Sequence, residues 1–151
     1  MIRFHVHVTT HDLPGSIATY SLVFGPPSVE KPDYAKWEPA GLPVIFAVST
    51  RKATAGIDHL GIKADAGEEL AAMSEGLRAR GLAHVEQRDA ECCYVRADKL
   101  WVTDPNGIAW ELYAGTGSIE VFGDDVRPAS SDACCAGEAA VPLVSLGPKR
   151  S

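Results

Sequence analysis

The chain repeats itself. His5 and His59 lie 54 residues apart, and Ile17, Tyr20 and Phe24 precede Leu70, Met73 and Leu77 by 53 residues each. Each histidine sits in an alternating stretch that reads as a strand, and each apolar trio marks one face of a helix. Short strands follow both helices. One such unit has too little apolar surface to be stable alone, so the two copies must pack together. The expected fold class is therefore α+β, with two β-α-β-β-β modules around a pseudo-twofold axis. The modules span about residues 1–52 and 55–115, inside a domain of residues 1–123.

Local signals agree with the repeat. Over residues 3–9, Phe4, Val6 and Val8 face one way and His5, His7 and Thr9 the other. Asp12 is a helix N-cap with Pro14 in the first turn, and Gly25 followed by Pro26 and Pro27 ends that helix. Strands are expected at 34–37 and 44–49, with a weaker one at 28–31. In the second copy, strands are expected at 56–62, 83–87, 94–103 and 108–113, and Gly81 closes the helix. Asp104-Pro105-Asn106-Gly107 is a tight turn that folds the last two strands into a hairpin. Residues 124–151 are polar and turn-forming at first, then rich in small residues; they read as a flexible, cysteine-containing tail.

Fourteen basic residues against 20 acidic give a net charge of -6, which argues against a nucleic-acid groove or an anionic membrane surface. No apolar run approaches the roughly 20 residues that span a bilayer. The N-terminus lacks a signal-peptide pattern, so a cytoplasmic location is expected.

Three residues are candidate ligands of a divalent metal: His5, His59 and Glu111. The two histidines hold equivalent places in the repeat. Glu111 lies mid-strand, where a carboxylate is costly unless it is paired or bound to a metal. Two imidazoles and a carboxylate with open positions suit Fe(II) and O₂ chemistry, although Mn, Co, Ni or Zn could use the same ligands. His7 shares the face of His5 and is an alternative ligand, while His11 and His84 read as surface residues. A surface Glu111 at a strand edge, paired with a lysine, is the structural alternative. The last strand of the first half, residues 44–49, carries no acid, so one metal site is expected and not two.

The four cysteines form two adjacent pairs, Cys92-Cys93 and Cys134-Cys135. This is neither a disulfide framework nor a CxxC zinc pattern. Two neighbouring thiols make a bidentate soft ligand for Cu(I), Zn(II), Cd(II) or As(III). Consecutive strand residues point to opposite faces, so Cys92 and Cys93 can meet one centre only in a loop or bulge. Lys99 and Arg96 are candidates for lowering a thiol pKa.

These residues together resemble the vicinal oxygen chelate superfamily of glyoxalases, bleomycin-resistance proteins and extradiol dioxygenases. His5 with Asp12-Leu13, then Asp58-His59-Leu60-Gly61-Ile62, then Asp104-Pro105-Asn106-Gly107 with Glu111 look like its three ligand segments. The resemblance covers about residues 2–114 and favours His5 over His7. Cys92-Cys93-Tyr94, Asp98-Lys99 and Trp101-Val102 are similar to one branch, the organoarsenical C–As lyases and cadmium-induced proteins. Some cadmium-induced relatives carry glutamine at the first ligand place, where this chain has His5.

The resemblance implies an enzyme that cleaves trivalent methyl- or aryl-arsenicals to arsenite with Fe(II) and O₂. Cys92 and Cys93 would hold As(III), Tyr94 and Lys99 would shape the pocket, and Cys134 and Cys135 would be accessory thiols. Two alternatives stand beside it: a cadmium- or arsenic-binding resistance protein without catalysis, and a glyoxalase- or thiol-transferase-type metalloenzyme. The chain is expected to act as a monomer or a homodimer on a small molecule.

Overall fold

The computed structural model describes residues 1–123. The first module contains β1 (Arg3–Thr9), α1 (Leu13–Phe24), β2 (Val29–Lys31), β3 (Tyr34–Trp37) and β4 (Val44–Ser49). The second contains β5 (Gly56–Ala64), α2 (Gly67–Ala79), β6 (Val85–Cys92), β7 (Val95–Thr103) and β8 (Ala109–Ser118). All eight strands join one mixed sheet in the order β2-β3-β4-β1-β5-β8-β7-β6. The order is symmetric about the antiparallel β1–β5 pair. β1 is flanked by the parallel β4, and β5 by the parallel β8.

The helices form where the sequence caps them. The Asp12 carboxylate accepts from the Gly15 N–H at 2.9 Å, and the Gly25 N–H donates to Ser21 O. The second helix has no side-chain cap; Glu68 and Glu69 in its first turn meet the positive end of the helix dipole instead. Leu13, Ile17, Tyr20 and Phe24 of α1 pack on Val6, Val8, Trp37 and Phe46. Leu70, Met73 and Leu77 of α2 pack on Ala64, Leu100, Leu112 and Ala114. Full burial of a side chain such as Val48 contributes about 1.5–3 kcal/mol. Both cores thus lie between a helix and its half of the sheet, and strand alternation turns the histidines to the face without helices.

Three elements depart from expectation. The sixth strand runs on through Cys92, because the polar stretch 88–91 pairs with β7 across a bulge at Asp89. The eighth extends to Ser118 by pairing with the start of β7. His84, expected at the surface, has a ring only 6% exposed, held near Ser74 Oγ and Glu86. Among the described residues no helix is long and apolar enough to cross a membrane. The tail at 124–151 and its Cys134-Cys135 pair lie outside the described residues.

Candidate metal centre and thiol pair

The β1–β5 pairing brings the two module histidines together. His7 is opposite His59 and His5 is opposite Gly61. The Nε2 atoms of His5 and His59 face each other at 3.1 Å. In the parallel β5–β8 pair, Gly61 is the partner of Glu111. Glu111 Oε2 then lies 3.4 Å from His59 Nε2 and 3.7 Å from His5 Nε2. These three residues, drawn from three strands and both modules, are each 5–6% exposed.

Gly61 makes that approach possible. A Cβ there would meet the backbone oxygen of Glu111 at 2.1 Å. In the first module the corresponding pair is His7 with Ala47. The acid of one half is an alanine in the other, so one asymmetric cluster results.

The surroundings orient each group. The His59 Nδ1–H donates to Asp58 Oδ2 at 2.8 Å, so that in the neutral ring Nε2 keeps its lone pair directed at the cluster. Asp58 in turn pairs with Lys52. Lys99 Nζ donates to Glu111 Oε1 at 2.7 Å, leaving Oε2 to the histidines. The rings of Trp101 and Tyr113 stand edge-on to His59 and His5, at 5.3 and 5.5 Å between centroids. Burial holds His5 down at about 4. Burial also opposes a charge on His59, but its bonds to Asp58 and Glu111 win and hold it up at about 8. Burial alone would raise Glu111; Lys99 and His59 hold its carboxyl well below the usual range.

This donor set fits a divalent cation. Two imidazole nitrogens 3.1 Å apart can share only one proton, and His5 Nδ1 is buried without a hydrogen-bond partner. A cation among His5 Nε2, His59 Nε2 and Glu111 Oε2 satisfies both facing lone pairs. His7 lies close as well: one donor atom each from His5, His7 and His59 falls within 4.8 Å of the others. Its Nε2 bonds Ser49 Oγ at 2.9 Å, and its Nδ1 is 3.9 Å from Cys93 Sγ. Burial first, then His59 and His5, hold its ring well below the usual value.

The thiol pair borders the same face. Cys92 ends β6 and pairs with Val95, so Cys93 and Tyr94 form a two-residue hairpin turn. Both have left-handed backbones, with φ of 58° and 63°. This turn replaces strand alternation and leaves the two sulfurs 3.1 Å apart. Tyr34, Ala47 and Phe122 pack against the pair. The Tyr94 hydroxyl donates to Asp33 at 2.6 Å, anchoring the turn to the first module. The bond from Cys93 holds the Cys92 thiol down at about 7, with Lys99 helping against burial. The same bond, with burial, pushes Cys93 well up. Arg96 does not share this task; it turns outward to Glu91.

A model of the glyoxalase/bleomycin resistance protein/dioxygenase superfamily matches residues 3–112. The chain belongs to that superfamily. The trivalent organoarsenical cleaving enzyme of Thermomonospora curvata is 33% identical over 138 residues, 89% of each chain. The cadmium-induced protein CadI of Mycobacterium tuberculosis is 30% identical over 148 residues, 93% of this chain and 97% of CadI. The Mn(II)-bound glyoxalase of Novosphingobium aromaticivorans shares the fold, with a TM-score of 0.58 at 19% identity. That match covers 83% of this chain and 42% of the glyoxalase. The superfamily and its organoarsenical and cadmium-induced branch are thus those the sequence motifs indicate.

Sequence reasoning named none of these partners as such: it allowed a lysine beside Glu111 only for a surface glutamate, whereas Glu111 is buried against Lys99. Asp58 stands beside His59 in the sequence and could have been singled out as its orienting carboxylate. The Lys99–Glu111 and His7–Cys93 contacts carry no local signal.

Proposed function

We propose that this chain cleaves the carbon–arsenic bond of trivalent organoarsenicals, releasing arsenite, as a non-haem Fe(II) enzyme of the dioxygenase type. One observation carries the reading: a two-histidine, one-glutamate donor set and a close pair of sulfurs border one face, with the His7 ring in contact with the sulfur of Cys93. His5, His59 and Glu111 would hold the metal. Fe(II), when bound, supplies the O₂ chemistry that oxidative cleavage of a carbon–arsenic bond needs.

The protein's own part is capture and positioning. An organoarsenical R–As(OH)₂ exchanges two hydroxyls for two sulfurs and releases two waters. Cys92, a partial thiolate near neutral pH, bonds arsenic first. Cys93 then gives up its proton and closes the chelate. Two bonds from one rigid turn fix the arsenic and direct its carbon substituent, converting an encounter into a held geometry. Tyr34, Tyr94 and Phe122 wall the arsenic side against water. Lys99 keeps Glu111 ionised and turned to the histidines. A cytoplasmic setting would keep both thiols reduced.

The names of the organoarsenical cleaving relatives support this reading. A glyoxalase-type reaction wants a second carboxylate from the first module, where Ala47 stands. The deciding experiment is anaerobic reconstitution with Fe(II), admission of air, and assay of arsenite from phenylarsenite. Release by wild type, and its loss in Glu111→Ala and Cys92→Ser, is expected. No release by the wild type overturns the proposal.

A further inference from the structure

His7 is a buried histidine that the proposed cleavage does not use. It is 3% exposed, and both its ring nitrogens have partners. One is the Ser49 hydroxyl; the other is a sulfur of the thiol pair. With Nε2–H donating to Ser49 Oγ, Nδ1 presents its lone pair toward Cys93. A hydroxyl fixing one nitrogen while the other faces a sulfur of the thiol pair is the arrangement of an oriented metal ligand.

We infer that Cys92, Cys93 and His7 form a second cation site, distinct from His5, His59 and Glu111, that takes a thiophilic divalent ion such as Cd(II) or Zn(II). Two thiols and one imidazole make a soft donor set, whereas two imidazoles and a carboxylate make a harder one. In tetrahedral zinc the bonds are about 2.3 Å to sulfur and 2.0–2.1 Å to nitrogen, which sets sulfur–sulfur and sulfur–nitrogen separations near 3.8 and 3.6 Å. The observed values are 3.1 Å for Cys92 Sγ to Cys93 Sγ and 3.9 Å for Cys93 Sγ to His7 Nδ1. For these two pairs, cation entry asks the sulfurs to part and the Cys93–His7 gap to close by fractions of an ångström. The hairpin turn supplies the former as a side-chain rotation. Binding releases both thiol protons to solvent and leaves a fourth position open. Ser49, on β4, stays bonded to the ring throughout.

The site does not depend on catalysis and stands or falls separately from the cleavage reaction. The test uses the reduced, metal-free full chain carrying Cys134→Ser and Cys135→Ser, so that only Cys92 and Cys93 can supply sulfur. Cd(II) is titrated while sulfur-to-cadmium charge-transfer absorption is recorded. Histidine ring resonances are followed in ¹⁵N-labelled protein. The expected result is one strongly absorbing equivalent of Cd(II) with a shift of the His7 Nδ1 resonance. The variant His7→Gln should weaken binding roughly tenfold or more, as loss of one ligand requires. Charge-transfer absorption with an unmoved His7 resonance overturns the site, as does a shift of only His5 and His59 without that absorption. The resonance measurement decides even if His7→Gln does not fold.

Discussion

Lys99 Nζ lies 2.7 Å from Glu111 Oε1 inside the sheet face, with the two side chains 7% and 6% exposed. This pair divides the carboxylate between two duties. One oxygen is neutralised by the ammonium, and the other is left to the histidines. Removing only the lysine leaves a buried carboxylate facing imidazoles alone. Lys99→Met should destabilise the metal-free protein by about 3–5 kcal/mol, the cost of orphaning a buried charge. The double variant Lys99→Met/Glu111→Leu should recover much of that loss. Urea unfolding of the four proteins checks this. Equal stability of Lys99→Met and wild type would mean that the ammonium is not what holds Glu111 ionised.

Asp58 acts on the cluster through His59. Its carboxylate is 2.8 Å from His59 Nδ1 and fixes the tautomer that points Nε2 inward. Asp58→Asn keeps the shape but allows the amide to present either a donor or an acceptor. Mn(II) or Co(II) affinity should fall by about 10–100-fold, the usual effect of losing such a partner. Competition with a fluorescent chelator measures this without any turnover. An unchanged affinity would show that Asp58 does not set the orientation of His59.

The sequence made α1 legible because its signals are local: Asp12 and Gly25 bracket a face of Leu13, Ile17, Tyr20 and Phe24. The repeat likewise exposed the meeting of His5 with His59, since two equivalent strands beside a pseudo-twofold axis must bring equivalent residues together. The extension of β6 was hidden because residues 88–91 are polar and become strand only by pairing with β7. The left-handed backbone at Cys93 and Tyr94 had no glycine or asparagine to announce it. His84 looked exposed because its burial depends on Ser74 of α2, a long-range packing event. The meeting of His5, His59 and Glu111 was therefore readable, and the groups that orient them were mostly not.

The two thiols should titrate far apart. Cys93 donates to Cys92, which holds Cys92 at about 7 and pushes Cys93 well above the ordinary thiol value. Only the thiolate is nucleophilic, so alkylation of Cys92 by iodoacetamide should rise as pH climbs through about 7 and fall below it. Cys93 should react only at clearly higher pH. The sign for stability follows from a folded value below the unfolded one. The contribution is complete above the unfolded thiol's range, near 8.5, and is lost as pH falls through about 7. Cys93→Ala removes the donor and should move the Cys92 midpoint upward. Peptide mass spectrometry across pH resolves the two sites, and equal rates for both cysteines would contradict the asymmetry.

Gly61 offers a sharper test of how the sheet builds the cluster. It carries no side chain and lies between His59 and the strand that bears Glu111. The missing Cβ is what lets β8 approach, since an added methyl would sit 2.1 Å from Glu111 O. Backbone cannot rotate away as a side chain can, so Gly61→Ala must push β5 and β8 apart. Overpacking of this kind costs about 1–3 kcal/mol. The displacement falls on His59 and Glu111 together, so metal affinity should drop more than either stability or helix content would indicate. Gly67→Ala is the matched control. It begins α2 with nothing within 4 Å of the new methyl, and should raise stability by about 0.4–1 kcal/mol through the unfolded chain. Thermal unfolding and Mn(II) binding on both variants separate the two effects. A Gly61→Ala protein that binds metal like wild type would show that the β5–β8 spacing does not set the ligand geometry.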